Sequence, residues 1–129
     1  KQTFEYRVAD GSADLYETVA ALIMGAMHGL EMNGALELAD KLYASGNIFD
    51  PAYKDFLATL DQLPTCCDES ADVLNAKREL FERDGIFPTG VIDAQIKKLK
   101  AYGDKGLSDS LLGDAEKFAE LVDQYIHVA

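Results

Sequence analysis

A chain of 129 residues has the length of one ordinary domain, and its 48% apolar content is enough for a core of its own. The formal charge of −11 is spread along the chain rather than gathered in a tail. It argues against a nucleic-acid backbone or an anionic membrane as partner, because both need a basic face.

No stretch reaches the ~20 apolar residues that span a bilayer. The run Val19-Ala-Ala-Leu-Ile-Met-Gly-Ala-Met27 is too short, and acidic residues precede it where a secretory signal would be basic.

The pattern opens with a strand over residues 1–9. Phe4, Tyr6 and Val8 alternate with Thr3, Glu5 and Arg7, the period of a strand with one apolar and one polar face. Nothing later in the chain makes a partner for it, and an unpaired ladder is unfavourable where it is buried. The strand is therefore expected to join a sheet in a missing part of the protein, which makes this chain the C-terminal piece of something larger.

Asp10-Gly11-Ser12 turns the corner, with Ser12 as the expected cap of a helix over residues 13–32. From Val19 to Met27 that helix is apolar on nearly all sides, which predicts cover on most faces. His28 near its end reads as a hydrogen-bonded core histidine. Asn33-Gly34 breaks the helix, and a second is expected over residues 35–44, stopped by Gly46.

Asp50-Pro51 opens a third helix, aspartate as cap and proline at the first position, where its missing N–H costs nothing. Tyr53, Phe56, Leu57 and Leu60 form its stripe. After the break at Leu63-Pro64-Thr65, a fourth helix over residues 68–83 carries Val73, Leu74, Lys77, Leu80 and Phe81 on one face, and Asp84-Gly85 ends it. Ile86-Phe87 reads as an apolar plug.

Pro88-Thr89-Gly90 leads into a fifth helix with Val91, Ile92, Ile96, Leu99 and Tyr102 inward. Glycines at 103, 106 and 113 mark a loose connection, and a last helix covers residues 114–127. The expected fold class is mainly α: one domain over residues 1–129, a bundle of about six helices (10–129) behind one N-terminal strand (1–9).

Signals for chemistry are sparse. There is no glycine-rich phosphate loop, no histidine pair at metal spacing and no nucleophile elbow. Cys66 and Cys67 are adjacent, so a disulfide between them would be strained and close no useful loop. Free thiols suit a reducing cytoplasm. A zinc site would need more ligands at ordered spacing, which His28 and His127 do not supply. Glu5 and Arg7 stand out, because two residues apart on a strand they project from one face. Taken alone the pair is a weak signal, since an ordinary cross-strand salt-bridged face is its commoner explanation.

Glu5-Tyr6-Arg7, the turn Asp10-Gly-Ser-Ala-Asp-Leu-Tyr16, and the apolar helix ending His28-Gly-Leu-Glu-Met32 resemble the C-terminal region of glutamine synthetases. Ala9 and Gly11 stand where the family's turn has prolines, and Asp14-Leu15 where it has Asn-Pro. Four further segments are most similar to the type III enzymes: Asn33-Gly-Ala-Leu-Glu-Leu-Ala-Asp-Lys-Leu-Tyr43, Leu63-Pro-Thr-Cys66, Phe87-Pro-Thr-Gly90 and Lys97-Lys-Leu-Lys-Ala-Tyr102.

The resemblance implies a cytoplasmic, ring-forming homo-oligomeric ligase that joins ammonia to glutamate at the expense of ATP, through γ-glutamyl phosphate. It implies Glu5 as a ligand of Mg2+ or Mn2+ and Arg7 as the group that engages the substrate glutamate or the transferring phosphate. Hard oxygen ligands suit those metals, and a planar guanidinium suits an anion. The nucleotide site and the other carboxylates would lie in the missing N-terminal part, so the isolated 129 residues are expected to be inactive. Two other readings remain: a stand-alone helical protein-interaction module without catalysis, and a small sensor built on the paired thiols.

Overall fold

The computed structural model describes residues 2–3, 5–6, 8–9, 11 and 13–126. Among them are eight α-helices: α1 (Leu15–Glu31), α2 (Ala35–Leu42), α3 (Lys54–Leu57), α4 (Cys67–Ala76), α5 (Arg78–Glu82), α6 (Thr89–Ala101), α7 (Leu107–Leu111) and α8 (Ala115–Tyr125). Short 3-10 turns at Pro51–Tyr53 and Arg83–Gly85 adjoin α3 and α5. The described residues contain no strand. The strand expected over residues 1–9 is therefore not seen at residues 2–3, 5–6 and 8–9, and the rest of that stretch lies outside the described residues.

Local chemistry explains the helix starts. Asp14 caps α1, its Oδ1 accepting from the Tyr16 and Glu17 amides at 2.9 Å each. Asp50 accepts from the Ala52 amide and sets Pro51 at the first helical position. Asp114 accepts from the Lys117 amide at the start of α8. Gly34 (φ 77°) takes the left-handed conformation that lets α2 leave α1 at a bend of 112°. No single helix among the described residues is long and apolar enough to cross a membrane.

The best-packed part is the pair α4 and α6, which contribute the buried Ala71 and Ile92. Charges fasten this layer from outside. Lys100 of α6 reaches Asp68 and Asp72 of α4 at 3.1 and 2.6 Å. Arg78 of α5 binds Glu82 at 2.8 Å and Asp93 of α6 at 2.7 Å. The Phe87 ring meets Phe81 edge-on at 6.0 Å, so the expected plug is Phe87, half-buried, while Ile86 stays exposed.

α1 lies against α5, with Met24 buried and its C-terminal end held by the paired Glu31 and Arg83 side chains. Gln95 of α6 donates to Glu17 of α1 at 3.0 Å.

Several expectations change. The fourth helix is two helices, α4 and α5, because Lys77 leaves helical geometry (φ −108°) and its N–H is shared between the Val73 and Leu74 carbonyls. That bend accompanies the capture of Arg78 by Asn75, Glu82 and Asp93. The connection before α8 contains a short helix, α7.

Most telling is α1 itself. Instead of being covered on most faces it buries Met24 alone, and His28 is exposed rather than a core group. A compact monomer of this mass exposes roughly 6,700 Å², whereas this chain exposes 10847 Å².

Candidate functional site

Two of the sequence's candidate residues lie in the opening segment. Glu5 is exposed and is itself in neither helix nor strand. Arg7 lies outside the described residues, as does Ser12; the α1 cap is supplied by Asp14. The pairing expected of Glu5 and Arg7 therefore lies outside the described residues.

Beside Glu5 the chain builds a groove of about 690 Å³. Tyr6, Val8 and Ala9 form one wall, and Leu22, Gly25 and Phe81 lie on the other side. The wall on α1 combines Leu22 and Thr18 with the small Ala21, Gly25 and Ala26. The lining is apolar, so the groove suits another protein segment better than a charged substrate. Glu5 is not among the residues that line it.

Among the described residues no group of three or more His, Cys, Asp or Glu side chains could hold a metal ion. A divalent cation of the Mg2+ type needs about six oxygen ligands, so Glu5 contributes at most one, and the remaining ligands would have to come from elsewhere.

A second polar cluster, unmarked in the sequence, sits at the start of α4. Thr65, Glu69 and Asp104 surround a cavity of about 450 Å³ with Cys66, Lys105 and Asp109. Asp104 accepts from the amides of Cys67 (2.7 Å) and Asp68 (3.2 Å). These bonds, chiefly the one from Cys67, hold the Asp104 carboxyl below the usual carboxylate range. Glu69 accepts from both the amide and the hydroxyl of Thr65 at 3.0 Å, which lowers it likewise.

Partial burial, followed by the nearby Asp104 carboxylate, pushes the Cys67 thiol up. A raised thiol is a poor nucleophile, so this cluster reads as helix-end architecture rather than a reactive centre. Its residues are 37 positions apart in the chain, and no local pattern announces that pairing.

Comparison with known proteins gives no match to any family model, any curated protein or any solved structure.

Proposed function

We propose that the chain is the C-terminal part of the catalytic region of a type III glutamine synthetase, an ATP-dependent glutamate–ammonia ligase. The observation that carries this reading is the Glu5-x-Arg7 pair followed within a few residues by an acidic-glycine turn and a long apolar helix. The later segments that resemble type III enzymes fall at helix starts and ends: Asn33-Gly34 between α1 and α2, Leu63-Pro64-Thr65 before α4, and Phe87-Pro88 before α6.

In this reading residues 1–9 complete a sheet carried by the rest of the enzyme. The apolar groove beside them receives part of that remainder, and the helices behind brace it. The high exposure of the described residues is the kind of surface such packing would cover.

Arg7 would present its guanidinium to an anionic group of the substrate, and Glu5 would lend one carboxylate to a divalent cation whose other ligands lie outside this chain. No step of the reaction can be assigned to these residues alone. ATP, glutamate and ammonia are the ligands of the complete enzyme, and the isolated chain is expected to turn over none of them.

The genomic reading frame tests the proposal. It should continue several hundred residues upstream of Lys1 and encode further carboxylate-bearing strands; a start codon directly before Lys1 would overturn it. A stand-alone interaction module is the second reading, favoured by the exposed apolar side chains of α1.

A further inference from the structure

The loop between α1 and α2 carries a chemistry that the enzymatic reading does not use. The chain has three asparagines, and their surroundings differ. Asn47 is followed by the β-branched Ile48, and its Oδ1 accepts from the Phe49 amide at 3.1 Å. Asn75 accepts from Arg78 at 3.2 Å, and the next residue, Ala76, lies in the last turn of α4, where its N–H belongs to the helix ladder. Asn33 is followed by Gly34. Both are exposed, and among the described residues neither the Asn33 side chain nor the Gly34 N–H makes a hydrogen bond.

Backbone geometry explains why that N–H is free. Glu31 ends α1, Met32 is extended (φ −74°, ψ 132°) and Gly34 is left-handed (φ 77°), so the chain leaves one helix before it enters the next. The Gly34 N–H falls between the two ladders and is taken by neither. Glycine also has no Cβ to shield its nitrogen.

We propose that Asn33 is a site of spontaneous deamidation, its side-chain carbonyl carbon attacked by the Gly34 nitrogen. The step needs no reagent but water. The Gly34 nitrogen gives up its proton and bonds the carbonyl carbon, the bond from that carbon to Nδ2 breaks, and ammonia leaves carrying the proton. Water then opens the cyclic imide at either carbonyl, giving aspartate or isoaspartate. Asp84-Gly85 has the same spacing, but a carboxylate is a poorer electrophile than an amide, and Asp84 faces Arg83 at 3.4 Å.

The products change the junction. Either one adds a negative charge just ahead of α2, whose cap Gly34 supplies no side chain, at the helix end that favours an anion. The isoaspartyl form also adds a methylene to the main chain where α2 leaves α1 at 112°. This chemistry needs only the loop, and is the same whether or not the chain is part of a ligase.

In the test, the 129-residue chain is incubated at neutral and mildly alkaline pH, digested with pepsin at acid pH, where the reaction is slow, and mapped by mass spectrometry. The peptide holding Asn33 should gain the mass of an amide-to-acid exchange roughly 10-fold or more faster than those holding Asn47 and Asn75. The rate should rise with pH, because the attacking nitrogen must lose its proton. Both aspartyl and isoaspartyl forms should appear, the latter accepting a methyl group from S-adenosylmethionine with protein isoaspartate methyltransferase. Gly34→Ala should slow the conversion. Alanine is strained at φ 77°, so if that variant loses its helical circular dichroism the ranking of the three asparagines in the unsubstituted chain decides. No conversion at Asn33, conversion no faster than at Asn47 and Asn75, or aspartate without isoaspartate would overturn the proposal.

Discussion

The Asp104 carboxylate accepts the backbone N–H of Cys67 at 2.7 Å, joining the loop after α6 to the first turn of α4. With Lys100 bound to Asp68 and Asp72 a few residues away, the same end of the α4–α6 layer is fastened from both sides. An orphan amide at a helix start is satisfied here by a residue distant in sequence.

That contact makes a pH-dependent contribution. The Asp104 carboxyl is lowered in the folded chain by the Cys67 amide. Its stabilisation is thus fully present above the unfolded carboxyl value and is lost as pH falls through the folded one. Asp104→Asn should lower the urea midpoint at neutral pH without changing the slope, and the difference from the unsubstituted chain should shrink on acidification below the normal carboxylate range. Urea titrations at neutral and acid pH check both.

The same carboxylate acts on the neighbouring thiol. Partial burial and Asp104 both raise Cys67, so less thiolate forms at a given pH. In a Cys66→Ser background, iodoacetamide should alkylate Cys67 more slowly than a free cysteine at the same pH. Asp104→Asn should speed the reaction by removing one of the two causes. Mass spectrometry over a time course reads the rate.

Packing is concentrated in one layer, and substitutions should reflect that. Ile92→Ala removes a buried side chain between α6 and its neighbours and should cost about 2–5 kcal/mol. Leu36→Ala removes one that is 79% exposed and should change monomer stability by no more than about 0.5 kcal/mol. Chemical denaturation of the two variants gives the comparison.

Gly46 supports a different contact. A Cβ placed there would stand 2.6 Å from the Tyr53 hydroxyl. Gly46→Ala should therefore displace the Tyr53 ring, which sits edge-on to Phe56 at 6.1 Å, seen as shifts of the Tyr53 and Phe56 ring resonances, and the Phe56 shift should be smaller when Gly46→Ala is made in a Tyr53→Phe background.

Much of the helix layout was legible because its signals are local. Asp50-Pro51, Asn33-Gly34 and Asp114 each act through neighbours within a turn, and each marks the boundary that the sequence predicts. The Lys77 break was not legible, since no glycine or proline marks it and Arg78 finds Asp93 only in the folded chain. Hydrophobicity marked the helix α1 but not its surroundings: cover on most faces was expected, and only Met24 is buried. For the candidate site, alternation singled out Glu5 through a strand that the described residues do not contain, whereas the groove depends on how Tyr6 and Val8 lie against α1.

The central claim, that Glu5 and Arg7 belong to a glutamate–ammonia ligase, is tested most directly by glutamine formation. The product of the full reading frame would be assayed with ATP, glutamate, ammonia and Mg2+, beside its Glu5→Ala and Arg7→Ala variants. The account predicts glutamine and ADP in equal amounts, and a fall of roughly 10²-fold or more in each variant with the oligomer intact. Absence of glutamine formation, or variants as active as the unsubstituted protein, would contradict it.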